Sequence, residues 1–325
     1  MNDQRGDLEL KGRKPAQVVY QGALQPRGFP GLPSGWVSEW ETFPSADGFL
    51  QLFMAGHHPE NWECHRALLV FHGLGEHGGR YLHFPHYLQE TVDSVHALDH
   101  RGHGRSEGLR GHVDRFDLFC DDAVLAIRRL DDHLKKRFGR SEIHLFAHSF
   151  GGLIALRTLF LHPNLPIHSV TVSAPLLGVR VPLPAVKKAA AYMMSRLWGS
   201  LHMTNEIDPK WVSRDPEVVE VYVKDRLVHN KGTPKLYTEL QAAIADTVKR
   251  DSGFAYPLQM VIPIQDRLVD PEASMKFFRS LKLRDKLLRT FPDSYHESFN
   301  DIGKEKVFED ISAWIKSHSQ RSGAS

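Results

Sequence analysis

Three residues have the types and order needed for nucleophilic catalysis: Ser149, Asp266 and His296. Ser149 stands in Ala147-His148-Ser149-Phe150-Gly151-Gly152, after a short apolar run and before a helical pattern that opens on two glycines. A serine hydroxyl is a weak nucleophile unless a strained turn exposes it and a base sits beside it. The G-x-S-x-G pattern serves such a turn, with Gly151 keeping the backbone bare where helix and strand cross. Ala147 replaces the first glycine, a departure of one methyl. A-x-S-x-G also occurs in ordinary small-residue turns, and it is the strand–turn–helix setting that favours a nucleophile. Asp266 follows the apolar run 258–264, and His296 follows the run 286–291. Both therefore open on the sheet edge that carries Ser149, in the order Ser, acid, His. His296 would take the serine proton and return it to the leaving group, and Asp266 would fix its tautomer. Asp270, just before Pro271, reads as a helix cap and leaves Asp266 free. Asp293 is the rival acid, but it lies close to His296 in sequence for orienting it. A tetrahedral intermediate needs donors for its oxyanion. Phe150 N–H follows the nucleophile, and Leu74 N–H lies in the glycine-flanked loop His72-Gly73-Leu74-Gly75.

The elements that must position these residues follow from periodicity. Segment 36–52 alternates around the turn Ala46-Asp47-Gly48, which predicts an antiparallel hairpin at a sheet edge. Runs 67–71, 94–98, 143–146, 169–173, 258–264 and 286–291 read as strands, and 67–71 is continuously apolar, which suits a strand covered on both faces. Helices are expected at 81–91, 116–138, 151–162, 271–281 and 304–318; Phe116, Phe119, Val124, Ile127, Leu130 and Leu134 share one stripe of the longest. Strands alternating with helices predict an α/β fold with a doubly wound, mostly parallel sheet. The alternation breaks between 177 and 253, where helix-like stretches (185–201, then 208–250) carry no clear strand. This reads as a helical cap or lid over the carboxyl edge of a core made of 36–176 and 254–320. Residues 1–35, punctuated by Gly and Pro, read as an extended or partly disordered arm. Asp99-x-Arg-Gly-x-Gly-x-Ser106 reads as structural support behind the oxyanion loop.

The chain has 325 residues, 41% of them hydrophobic, which is ample for a large core. Its formal charge of +2 gives no reason to expect nucleic acid. Cys64 and Cys120 are read as reduced thiols without metal spacing, and no metal site is expected. No glycine loop fits a dinucleotide or phosphate. The first fourteen residues show no apolar signal region, and no run of ~18 apolar residues occurs, so a cytoplasmic protein is expected.

Three loops, His72-Gly-Leu-Gly-Glu-His-Gly-Gly-Arg-Tyr81, Asp99-His-Arg-Gly-His-Gly-Arg-Ser-Glu-Gly108 and Ala147-His-Ser-Phe-Gly-Gly152, resemble those of the α/β-hydrolase superfamily. More specifically, they resemble its monoacylglycerol lipase and lysophospholipase branch, which is serine aminopeptidase S33-like. The segments Ile207-Asp208, Ser213-Arg214-Asp215 and Val221-Tyr-Val-Lys-Asp225 add to the likeness, which covers about 36–317. Pro263 stands where that family often has a glycine. The resemblance implies a serine esterase that releases a fatty acid from a single-chain lipid, a lysophospholipid or a monoacylglycerol, through an acyl-enzyme and without a cofactor. It also puts Glu76 and Arg80 either near the substrate's polar head or in an ion pair that shapes that region. An aminopeptidase or thioesterase would use the same triad, and a silent binding protein could share the fold. Within the cap, 185–203 has apolar residues, among them Met193, Met194 and Trp198, beside Lys187, Lys188 and Arg196. These could line an acyl tunnel, contact a membrane surface, or do both.

Overall fold

The computed structural model describes residues 24–63, 65–180, 184–204 and 207–319. Most of the arm expected at 1–35, and Cys64, lie outside them. The chain opens with the hairpin β1 (Trp36–Pro44) and β2 (Gln51–Pro59), then β3 (Arg66–Phe71). A 3-10 turn (Gly78–Tyr81) and the short α1 (Phe84–Leu88) lead to β4 (Ser94–Asp99), α2 (Asp117–Phe138), β5 (Glu142–His148), α3 (Phe150–Leu161) and β6 (Ser169–Ser173). The chain then leaves the sheet for α4 (Ala185–Leu197), β7 (Met203–Thr204), a 3-10 turn (Pro209–Trp211), α5 (Pro216–Lys224), β8 (Lys231–Gly232) and α6 (Pro234–Thr247). It returns with β9 (Leu258–Pro263), α7 (Pro271–Ser280), β10 (Lys286–Phe291) and α8 (Lys304–Ser317).

The main sheet runs β1-β2-β4-β3-β5-β6-β9-β10. β2 pairs antiparallel with β1 and β4, and every other pairing is parallel. This is the expected α/β architecture. β5 and β9 are buried along their whole length, so successive side chains feed two different layers. Leu69 and Phe71 join Leu145, Ala147, Leu153 and Ile154 on one face. Leu68 and Val70 join Tyr81, Phe84, Phe146, Phe299 and Ile311 on the other. Gly139 ends α2 in the left-handed region, its N–H returning to Lys135 O at 2.8 Å.

Three expectations need correcting. The helix expected at 81–91 is a 3-10 turn followed by five residues of α1, because Pro85 starts a fresh first turn. The helix expected at 185–201 ends at Leu197; Trp198 leaves helical geometry ahead of Gly199. The region expected to lack strands holds a two-residue pair, Met203–Thr204 against Lys231–Gly232. Among the described residues no helix is long and apolar enough to cross a membrane.

Candidate active site

Ser149 sits between β5 and α3 with φ 52° and ψ −112°, a conformation that costs a non-glycine residue ~1–3 kcal/mol. Main-chain bonds impose it: Ser149 N–H donates to Ser173 O at 2.9 Å, and Ser149 O accepts from Leu153 N at 3.1 Å and Leu176 N at 2.9 Å. A Cβ on Gly151 would lie 2.4 Å from Phe71 O and 2.5 Å from His72 O, so only glycine lets α3 start against β3. The methyl of Ala147, by contrast, is absorbed in the core.

The histidine loop after β10 and the acid loop after β9 meet at this turn. His296 Nε2 lies 2.9 Å from Ser149 Oγ, and His296 Nδ1 lies 2.6 Å from Asp266 Oδ2. A carboxylate only accepts, so Nδ1 carries the proton and Nε2 offers its lone pair to the serine hydroxyl. The other oxygen of Asp266 accepts from Leu268 N and Val269 N at 2.7 and 3.0 Å. All three residues are buried. Burial works against charge on the imidazole, but Asp266 outweighs it, and the His296 pKa sits above its ordinary value. Such an imidazole can draw a proton from the hydroxyl and hold it as an imidazolium. Asp293 is exposed.

The loop 72–80 comes within touching distance of the serine. A Cβ on Gly73 would lie 3.5 Å from Ser149 Cβ and 2.8 Å from Glu76 Oε1. Gly73 N–H donates to Glu76 Oε1 at 2.5 Å, and Gly73 O, the carbonyl of the peptide that carries the Leu74 N–H, lies 2.8 Å from His72 Nδ1. Phe150 is the first residue of α3, where an N–H has no partner within the helix. Behind the loop, Asp99 accepts from Gly78 N at 2.7 Å and Arg105 N at 2.8 Å.

Of the two places open to Glu76 and Arg80, the structure has the buried ion pair. Arg80 Nη1 donates to Glu76 Oε2, and Arg80 donates twice to Glu297, at 2.6 and 2.7 Å. Burial alone would raise the Glu76 carboxyl, but Arg80 beside it leaves the pKa lowered. Tyr222 covers the guanidinium at 4.8 Å. Glu76, His148 and Glu297 bring potential ligand atoms within 4.8 Å of one another, and the cation already among them is Arg80.

Met193 and Trp198 are 58% and 62% exposed, and Met194 is half-buried. α4 buries none of its residues and packs along α6.

Several residues at the site carry no sequence signal of a role. Glu297 adjoins His296 but pairs with an arginine 217 positions away. The ring of His148 packs on His296 at 4.6 Å, and burial holds its pKa well below the ordinary value. The excursion between β6 and β9 reaches both loops. His229 N–H donates to Gly75 O at 2.8 Å, Glu297 N–H donates to Val212 O at 2.8 Å, and Arg214 Nε meets Asp301 Oδ2 at 2.9 Å.

A serine, an imidazole and a carboxylate in sequence at the carboxyl edge of this sheet define a serine hydrolase of the α/β-hydrolase fold. The chain belongs to the family described as serine aminopeptidase, S33, whose model matches residues 63–303. A monoacylglycerol lipase of Mycolicibacterium smegmatis is 30% identical over 255 residues, 78% of this chain and 88% of that protein. An uncharacterised abhydrolase domain-containing protein of Dictyostelium discoideum is 32% identical over 254 residues; the chain spans about a quarter of it, 26%. The crystal structure of a monoacylglycerol lipase from Paleococcus ferrophilus superposes with a TM-score of 0.72 at 31% identity, covering 82% of this chain and 99% of that one.

Proposed function

We propose that the protein hydrolyses the ester of a single-chain lipid, a monoacylglycerol in the first place, with Ser149 as nucleophile. The observation that carries this reading is the pair of contacts Ser149–His296 and His296–Asp266 on a strained turn. Ser149 Oγ attacks the acyl carbonyl while His296 Nε2 takes its proton. The carbonyl oxygen, now negative, is met by the Leu74 and Phe150 N–H groups. Collapse breaks the bond to the glycerol oxygen, which receives the proton from His296, and leaves the acyl group on Oγ. Water, deprotonated by His296, repeats the attack and releases the fatty acid. Asp266 holds the imidazole through both steps and stays ionised. Every proton taken is returned by the same nitrogen, so the cycle needs no cofactor. Glu76 and Arg80 position the oxyanion loop from behind.

The excursion, 177–253, serves as the cap. The exposed Val186, Met193, Leu197 and Trp198 of α4 and its end, beside Lys187, Lys188 and Arg196, suit contact with an anionic lipid surface. In this reading the enzyme is cytoplasmic and works at a membrane surface; Cys120, buried and free, with its thiol pushed up to about 12 by burial, is at home in a reducing compartment. The lipase names of the Mycolicibacterium and Paleococcus relatives support the acyl substrate.

The test is a substrate panel with purified protein and Ser149→Ala: monoacylglycerol, lysophosphatidylcholine, an acyl thioester and an amino-acid anilide, beside fluorophosphonate labelling. Fatty acid released from monoacylglycerol by the parent alone is the expected result. Preference for lysophosphatidylcholine would overturn the headgroup. Turnover of the thioester or anilide alone would overturn the ester reading, and failure to label Ser149 would sink the enzyme.

A further inference from the structure

Residues 24–29 lie outside the span that the family model matches, yet they touch both walls of the site. Leu24 N–H donates to Asp225 Oδ2 at 3.2 Å, the oxygen that His77 Nε2 also approaches at 3.1 Å. His77 Nδ1 accepts from Gly79 N–H, so it is the Nε2 proton that faces the carboxylate. Asp225 ends α5, His77 belongs to the loop 72–80, and both side chains are fully buried. One residue along, Gln25 Nε2 donates to Gly79 O at 2.9 Å, next to Arg80. Arg27 donates to both carboxylate oxygens of Glu217, in the first turn of α5, at 2.9 and 2.7 Å. Phe29 sets its ring edge-on to His83 at 5.1 Å, with Lys304 Nζ 4.2 Å from its centroid. A small cavity between the segment and the fold is walled by Leu24, Gln25 and Phe29 on one side and by Arg80, Val218 and Val221 on the other.

α5 needs help to stay in place, since Val218 is its one buried residue. What holds it to the loop 72–80 is the Asp225–His77 contact, Tyr222 on Arg80, and the segment that bridges them. We propose that residues 24–29 form a clamp that fixes α5 of the cap against the loop 72–80, with Gln25 and Phe29 positioning the cap and not the reacting groups. The clamp acts on how the cap admits a long substrate. A short ester that needs no cap should not register its loss.

The test uses the full chain carrying Gln25→Ala and Phe29→Ala together. Amide hydrogen exchange across 216–225 should speed up by roughly fivefold, the factor of one lost hydrogen bond of ~1 kcal/mol. KM for monoacylglycerol should rise by a similar factor, while kcat for p-nitrophenyl acetate stays at the parent value. Unchanged exchange at 216–225 would overturn the clamp, as would an equal loss of kcat on both esters. Should the double substitution loosen the whole molecule, the exposed ion pair decides. Arg27→Glu must speed exchange at 216–225, and adding Glu217→Arg must restore it; a failure to restore would also overturn the proposal. The exchange arm needs no substrate, so it stands or falls apart from the lipase reading.

Discussion

Asp266 uses both oxygens: one steadies its own loop through Leu268 and Val269, the other aims His296. Asp266→Asn replaces an acceptor with a group that can donate, which favours the wrong imidazole tautomer. A loss in kcat of about 10⁴-fold is expected, on the scale such a change has in serine proteases, with Asp293→Asn near the parent value. Steady-state turnover of a soluble ester compares the two. The pH profile supplies a second check. The base must be neutral to act, so activity falls as pH drops through the His296 pKa. That pKa is raised, so the acid limb of kcat/KM should lie above the ordinary histidine value of about 6.5. Asp266→Asn should move whatever activity remains toward a lower limb, because the group that outweighs the burial penalty is gone.

Between elements, the decisive contact is Arg80 bridging the loop after β3 to the loop after β10. Arg80→Met leaves Glu76 and Glu297 buried without a counter-ion, and removing one partner of such a pair costs ~3–5 kcal/mol. The sign with pH can be worked out from Glu76. Its folded pKa is lowered, so its contribution is present above the ordinary carboxyl range and is lost as pH falls through the folded value. The variant lacks that contribution. The gap in urea midpoint between parent and variant should therefore be widest near neutrality and shrink in acid. The strands beneath this bridge are legible in the sequence as short segments rich in aliphatic residues that alternate with helical patterns, and one of them, 67–71, is an unbroken apolar run that suits a doubly covered sheet. The three residues that the contacts bring together follow from strand ends and residue order. The bridge is not legible: an ion pair across 217 positions leaves no periodic trace, and a helix expected from 81 to 91 hides the turn that carries it. Glu76 and Arg80 are recognisable as a pair by resemblance, but their buried third partner, Glu297, is not.

At the scale of the molecule, one face stands out. α4 and the residue after it present Val186, Leu197 and Trp198 at 82%, 61% and 62% exposure, on an excursion that also touches the loop of His296 and the loop 72–80. Leu197→Glu with Trp198→Glu should abolish sedimentation with anionic vesicles and raise the apparent KM for vesicle-borne substrate. Hydrolysis of a dissolved short ester should persist at the parent rate. Equal vesicle binding by parent and variant would remove the membrane role. The way this excursion is attached has a broader consequence. It leaves from the end of β6 and comes back into β9, and these two strands pair directly, Val170 with Leu258 through Ser173 with Val261. The pairing is parallel, so the sheet holds the two ends on neighbouring strands at opposite edges, a short strand's length apart, and the cost of closing the loop grows only slowly with its length. The strand pairing itself does not depend on what hangs between the two strands, although Val212, Arg214 and His229 tie the excursion to the loops on either side of Ser149. Changes in its length should therefore be tolerated by the sheet, provided that the contacts of Val212, Arg214 and His229 with the two neighbouring loops are kept.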